Sequence, residues 1–497
     1  MSFLRVTLPA CFITLLIGLT NNEYYGPTLT AAQRTTEVRT SPCPQQSAPG
    51  QLQYRRFQAS GLVDAPPLSV IPGMRGFGTT TVAGSGRQLD PPLSHLYKIK
   101  TLADSGPGSL RECVNLPGPR TCLFEISGEI PLLSVLRIRS PYITIAGQTA
   151  PHPGITITHS GLSIETHDVL IQHLAIRPGD YRDGVAPRFR DGISIGAPPP
   201  HTAHNIVLDH LSLTWALDEN LSTAYEQTHD VTVANSLIAE GLHDSIHPKG
   251  PHSKGVMIGN NSERVTLYRN ILAANHERNP YIKPGTSVEM LNNIVYGWGA
   301  PGGWSLCNLS NNDGTLNPVQ LTFIGNIYIP GPWSFIAPPI YAKQLARSSR
   351  IYVRDNKLLV PNSSPSDPWG IAGIDEETFR ADSPPVESPG VSTISTDGLQ
   401  EELLTSVGSR PARRSQVDRR IIDDIKFRKG SIKDCLRGCP NAAAEGPSFA
   451  VVRRRAPLPI ARKTRPLRLP ADPLGDRDQD GYTNLENWLH LLLRVVE

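Results

Sequence analysis

Apolar residues recur at alternate positions in short runs through the middle of the chain. The runs are Tyr142-Ile143-Thr144-Ile145, Asp168-Val169-Leu170-Ile171, Asn205-Ile206-Val207-Leu208, Asp230-Val231-Thr232-Val233, Arg264-Val265-Thr266-Leu267, Ser287-Val288-Glu289-Met290 and Gln320-Leu321-Thr322-Phe323. Period-two alternation is what a half-buried strand requires. A second short apolar stretch follows, as in Leu174-Ala175-Ile176, Leu237-Ile238 and Ile271-Leu272. Taken at their second residues, the runs fall at 143, 169, 206, 231, 265, 288 and 321, in steps of 26, 37, 25, 34, 23 and 33. A base near 23–26 with insertions of about ten fits a coiled strand stack, each turn docking on the last and the insertions leaving on one face. No amphipathic helix of 10–15 residues separates the runs, which argues against a doubly wound sheet. Asn270, Asn293 and Asn326 share one repeat position, where stacked turns allow their side chains to bond as a ladder. The fold class expected is all-β, a right-handed parallel β-helix.

Length and charge narrow the classes. The chain has 497 residues, 48 Lys plus Arg, 45 Asp plus Glu and a formal net charge of +3. That balance excludes a globally basic nucleic-acid binder. The charge is uneven: residues 401–470 carry 17 basic and 7 acidic side chains, a net of +10 that leaves −7 for the rest. Only one apolar run approaches membrane length, Val6–Leu19 behind Met1-Ser2-Phe3-Leu4-Arg5, and it matches a secretory signal better than an anchor. An exported chain accommodates disulfides, and six Cys remain beyond that segment, with Cys113–Cys122 and Cys435–Cys439 the local pairs. Sequons begin at Asn220, Asn260, Asn308 and Asn362, so glycosylation is expected in a host that performs it.

The order of several short motifs then resembles one family. Gly76-Phe77-Gly78 is followed by Asp104-Ser105-Gly106-Pro107-Gly108-Ser109-Leu110-Arg111 and Ile145-Ala146-Gly147-Gln148-Thr149-Ala150-Pro151. Then come Leu208-Asp209-His210, Met257-Ile258-Gly259 and Asn292-Asn293-Ile294-Val295-Tyr296. The series resembles the secreted pectate lyases of polysaccharide lyase family 1 over about residues 71–330. The resemblance implies cleavage of α-1,4-galacturonan by β-elimination, giving unsaturated products, with Ca2+ as cofactor, an acidic polysaccharide as partner, no nucleic acid, no membrane after signal cleavage, and a monomer.

The reaction has a physical logic. The C5 proton of a uronate lies α to a carboxylate, so its removal needs a base, and the developing charge needs cations. The resemblance places calcium aspartates at Asp191 and Asp218. Where the family often has a further carboxylate, this chain has Ser222, and Glu219 stands beside Asp218 as a replacement ligand. Lys254 matches the lysine that holds the substrate carboxylate, with Lys249 a rival for that role. Arg278 matches the proposed base. Lys283 stands where the family has a second, substrate-binding Arg, keeping the charge but losing the bidentate fork. His210 is a substrate-binding candidate, although packing at the strand end is the stronger expectation for it. His243, His247 and His252 suggest a metal cluster without a tight ligand spacing, and solvent-facing or substrate-contacting roles are expected for them.

A second calcium signal closes the chain. Asp476-Arg477-Asp478-Gln479-Asp480-Gly481 reads as the first half of an EF-hand-type loop, with Asn484 at position 9, Glu486 at 11 and Asn487 at 12. The organisation expected is a signal and leader over 1–32, a linker over 33–70, the β-helix over 71–345, a basic and partly disordered extension over 346–470, and the calcium loop with a terminal helix over 471–497. A galacturonan hydrolase of the same fold would need paired acid and base carboxylates, and the cations Lys254 and Arg278 suit elimination better. A non-catalytic polysaccharide-binding β-helix is the alternative that Ser222 and Lys283 keep open.

Overall fold

The computed structural model describes residues 68–496 except 182–183, 197, 260, 300–306, 310–316, 343, 361–367, 391 and 437–461. The chain divides into Met1–Gln51 and Leu52–Glu497, and all described residues belong to the second unit. The expected signal, the linker up to residue 67, Cys43, Cys439, Asn260 and Asn362 lie outside them.

Three sheets run side by side along one coil. The first has ten strands, from His95–Ile99 to Arg350–Arg354, all parallel. The second begins at Ile126–Pro131 and ends at Lys357–Leu358, and the third runs from Leu136–Ile138 to Ala372–Gly373. From the strand Arg120–Phe124 onward, each turn of chain visits the three in order, and neighbours within a sheet come from successive turns. Parallel crossovers of this kind are right-handed, and the architecture is a right-handed parallel β-helix. The seven sequence runs fall in the first sheet in perfect register: Ile143 pairs with Val169, and then follow Ile206, Val231, Val265, Val288 and Leu321. The coil continues to Gly373, past the expected boundary at 345.

Inward side chains form one apolar column. Ile145, Ile171, Leu208, Val265, Leu267, Leu321 and Phe323 are all fully buried. Burial of each such side chain is worth roughly 1.5–3 kcal/mol. The Cys113–Cys122 disulfide is formed, and it ties helix α1 (Leu110–Asn115), which covers the first coil, to the first sheet.

The corner between the first and second sheets is sharp. Asn235, Arg269, Asn292 and Asp355 have φ between 49° and 58°, and Gly325 has φ 66°. A left-handed residue turns the chain in one step, at a cost that non-glycine residues must offset elsewhere. The following residue offsets it. Asn270 Nδ2 donates to Asn293 Oδ1 (3.1 Å), Asn293 Nδ2 to Asn326 Oδ1 (3.0 Å) and Asn326 Nδ2 to Asn356 Oδ1 (2.8 Å). The expected ladder therefore exists and extends by one residue.

The C-terminal residues return along the flank. After the short α2 (Glu376–Phe379), α3 (Leu399–Ser406) and α4 (Gln416–Lys426) cover the outside of the second sheet. Leu403, Ile421 and Ile425 pack on Leu237, Ile271, Ile294 and Ile327. Buried Arg177 and Asp418 pair at 2.6 Å. Within the expected extension over 346–470, the described residues include the last coil and the helices α2, α3 and α4, joined by irregular segments.

Candidate active site

The long insertions leave mainly at the corner between the second and third sheets. Residues 178–192 precede the third-sheet strand Ile193–Ile195, and residues 240–253 precede Lys254–Ile258. They rise at the edge where the third-sheet strands begin, and the functional candidates gather there. Asp191 ends one insertion. Asp218 and Glu219 open the adjoining strand Glu219–Thr223. One carboxylate oxygen from each of the three lies within 4.8 Å of the others. Glu219 pairs in register with Lys254, and Lys254 bridges to Glu277.

Arg278 completes the group. It sits at φ 63° just after that bridge, forms an ion pair with Glu219, and lies over the Tyr281 ring at 5.3 Å. Its Nη1 also contacts Met257 Sδ at 3.4 Å. Burial lowers its pKa, opposed by the charge of Asp218, by Tyr281 and by Asp191. The structure thus brings Arg278, Lys254, Asp191, Asp218 and Glu219 together.

The electrostatics call for a cation. Burial, and then the charge of Asp218, push the Asp191 carboxyl up to about 7, against a Ser194 hydroxyl bond and the charges of Arg278 and Lys249. Three carboxylates crowded at one edge fit an oxygen-seeking divalent ion. Ser194 donates to Asp191 Oδ2 at 2.9 Å, a partner that only the Asp191-x-x-Ser194 spacing could have suggested. Ser222 lies in register between Ser194 and Met257, on the row beside the cluster.

Both lysines are near. Lys249 is exposed and acts on Asp191, while Lys254 lowers the pKa of Glu277, where burial is the largest, opposing effect and the His276 bond also contributes. Lys283 lines an adjoining groove of about 400 Å³ with Tyr225, Gly259, Asn261 and Met257. Met257 is thus shared between that groove and Arg278.

Three expectations need correction. His210 is not brought to this cluster. It is buried at the corner of the first and second sheets, bonded to Asp209 Oδ1 at 2.9 Å and stacked on His173 at 4.8 Å, because the turn after the strand points it at its neighbour coil. His247 and His252 do not face solvent. Each is 4% exposed, and each places Nε2 3.7 Å from an Asp218 oxygen. Finally, Asn220 cannot carry a glycan in the folded chain. It is 0% exposed, and its Nδ2 donates to Ala239 O (3.2 Å) and Asn275 Oδ1 (3.0 Å).

The terminal loop is mixed. The carboxylates of Asp476, Asp478 and Asp480 gather within 4.8 Å, and Asp476 Oδ2 accepts the Gly481 amide at 3.0 Å. Glu486 points away from them. It accepts from Thr483 N (2.8 Å) and Thr483 Oγ1 (3.0 Å) and pairs with Arg87, as the capping box of α5 (Asn484–Val496). Asn484 is spent on Asp472 O (2.8 Å) and the Arg477 amide (3.3 Å). Asn487 instead reaches Asp480 Oδ2 at 3.1 Å and Asp478 at 3.3 Å.

Comparison with other proteins finds relatives of part of the chain. No family model matches the chain. Over 266 residues it is 35% identical to a protein named "Probable pectate lyase C" from Aspergillus flavus, covering 53% of this chain and 55% of that one. A protein of the same name from Aspergillus oryzae is 35% identical over 265 residues. The chain spans about half the length of these curated relatives. Among solved structures, the cedar pollen allergen jun a 1 aligns with TM-score 0.49 at 17% identity, covering 67% of this chain and 92% of the allergen. A pectate lyase bound to a hexasaccharide aligns with TM-score 0.47 at 12% identity, covering 70% and 99%. Over the shared stretch, the chain is a sequence relative of fungal proteins named as pectate lyases.

Proposed function

We propose that the chain is an exported, calcium-dependent lyase that cleaves α-1,4-galacturonan by β-elimination. The observation that carries this reading is the packing of Arg278 and Lys254 against Asp191, Asp218 and Glu219 at one sheet edge. Three carboxylates and a serine hydroxyl make an all-oxygen donor set suited to calcium, which when bound would supply positive charge to the substrate carboxylate and acidify C5. The side chains divide the remaining work. Lys254 and Lys249 offer ammonium groups to uronate carboxylates, and Lys283 extends that row along the adjoining groove. Arg278 is the group placed to take the C5 proton. A double bond then forms between C4 and C5, the C4–O bond breaks, and the leaving oxygen takes a proton from water. Arg278 is paired with Glu219 in the free protein, so that pair opens and the guanidinium releases a proton to water before the neutral guanidine can take the one on C5.

Export is supported by the apolar run Val6–Leu19 and by the Cys113–Cys122 disulfide. Among the described residues, no helix is long and apolar enough to cross a membrane. The reading includes a structural calcium at Asp476, Asp478 and Asp480, supported by their convergence with Asn487. Incubation with polygalacturonate, with calcium or chelator, tests the main claim. Ultraviolet-absorbing unsaturated product that requires calcium and Arg278 is expected. New reducing ends without unsaturation would instead identify a hydrolase, and binding without either product a non-catalytic protein.

A further inference from the structure

Asp218 faces two ways. On one side are Asp191 and Glu219; on the other are two histidines of the 240–253 insertion. His247 Nε2 lies 3.7 Å from Asp218 Oδ2, and His252 Nε2 lies 3.7 Å from Oδ1. One ligand atom from each of the three residues falls within 4.8 Å of the others. Both rings are buried, and His247 Nε2 has no hydrogen-bond partner among the described residues.

The proton positions sharpen the point. His252 Nδ1 sits 3.0 Å from Gly250 O and 2.9 Å from Pro251 O. Carbonyls only accept, so Nδ1 holds a proton and Nε2 is the nitrogen turned toward Asp218. A divalent cation between that nitrogen and the Asp218 oxygens would bind both. A ring whose far nitrogen donates to a carbonyl is also how metal-ligating histidines are oriented. Imidazole nitrogen disfavours calcium, which takes oxygen, and suits zinc-class ions. A tetrahedral ion with bonds of about 2.0–2.1 Å holds its ligand atoms roughly 3.4 Å apart, and the observed 3.7 Å is a few tenths longer.

We propose that Asp218, His247 and His252 form a two-histidine, one-carboxylate site for a zinc-class divalent ion, separate in chemistry from the oxygen cluster and sharing Asp218 with it. His247 Nδ1 accepts the Lys249 amide at 3.3 Å. Coordination through Nε2 moves that ring's proton to Nδ1 and releases this long contact, so the ion acts on the backbone of Lys249 as well as on Asp218. The site is thereby placed to adjust the cleft that the lyase reading uses, although its existence does not depend on that reading.

The test needs no substrate. The full chain is stripped with chelator and titrated with cobalt(II) alone, following its visible absorption, and with zinc by equilibrium dialysis in excess calcium. One ion per chain is expected, with cobalt spectra of nitrogen ligation and two paramagnetically shifted imidazole N–H resonances. His247→Ala and His252→Ala are each expected to weaken binding by at least the roughly 10–100-fold that loss of an outer-shell partner costs, while Asp478→Asn in the terminal loop leaves it unchanged. The proposal is overturned by absence of saturable binding, by affinity unchanged from the wild type in both histidine variants, or by loss in Asp478→Asn alone. If a variant fails to fold, the wild-type resonances decide, since an oxygen-only site gives none. Failure here leaves the unsaturated-product assay untouched, and failure of that assay leaves this binding untouched.

Discussion

Asn293 is the middle of the buried ladder, and its replacement by alanine tests whether the ladder carries the corner. The side chain is 0% exposed. Its Oδ1 accepts from the Asn270 amide (2.8 Å) and Asn270 Nδ2 (3.1 Å). Its Nδ2 donates to Leu267 O (2.8 Å), Leu291 O (3.1 Å) and Asn326 Oδ1 (3.0 Å). After truncation several groups keep other partners: Asn326 Oδ1 still accepts the Asn293 amide, and Asn270 Nδ2 still reaches Val233 O. The Asn270 amide and the Leu267 carbonyl lose these bonds in a dry interior. At about 1–3 kcal/mol for each buried group left unmet, the cost is about 4 kcal/mol. Urea unfolding followed by circular dichroism measures it. The matched control is Asn356→Ala at the ladder's end, where 8% exposure admits water and the loss should be smaller. A cost below about 1 kcal/mol for Asn293→Ala, or one no larger than that of Asn356→Ala, would refute the reasoning.

Arg278→Ala should abolish unsaturated product from polygalacturonate, and Arg278→Lys should restore little of it, because a lysine cannot keep both the Glu219 pair and the Tyr281 stacking. Cys113→Ser opens a crosslink spanning a separation of 9 residues, which chain entropy values at about 2.6 kcal/mol in urea unfolding. Burial, with a contribution from the charge of His210, holds the His173 imidazole down from 6.5 to about 3. The fold therefore favours the neutral ring, and its contribution is complete above pH 6.5 and lost as pH falls toward 3, up to roughly 5 kcal/mol. His173→Asn should flatten the acid limb of the urea midpoint against pH, and an unchanged slope would count against the assignment. Glu486→Ala should lower the thermal midpoint by removing the α5 cap and the Arg87 pair, yet leave calcium affinity unchanged, since Glu486 points away from the aspartates.

The middle of the fold was legible because each coil repeats one physical demand. An inward branched residue at the second position of each run is what the stack requires, and the register Ile143 to Leu321 follows from it. The first coils were harder to read. Arg120 is fully buried in the strand Arg120–Phe124, where it donates to five carbonyls, those of Cys113, Val114, Gly118, Ser140 and Pro141. A charged residue there breaks the alternation although the strand is intact. The sites divide in the same way. Asp191, Asp218 and Arg278 were found through motifs, but the turn Pro248–Pro251 that folds His247 and His252 back toward Asp218 leaves no spacing to recognise. Glu486 falls both at position 11 of the calcium loop and at the third residue of a capping box with Thr483, and only the direction of its side chain separates the two readings.

The way the chain closes on itself has a consequence for its making. Tyr482 donates to Ser69 O at 2.7 Å, Glu486 pairs with Arg87, and Leu485 and Leu489 pack on Leu123 and Ala146. Lys463-Thr464 pairs antiparallel with Ile126 and Ser127, covering the open edge of the second sheet's first strand. During synthesis, the coils around residue 126 emerge more than three hundred residues before the segment that shields them. Until then the nascent chain presents a bare strand edge to any neighbour, the template on which sheets join between molecules. A ribosome that stops short of residue 463 releases a product whose later coils can be complete while its first remains open. The segment at residues 463–464 thus acts as the molecule's own guard against polymerisation.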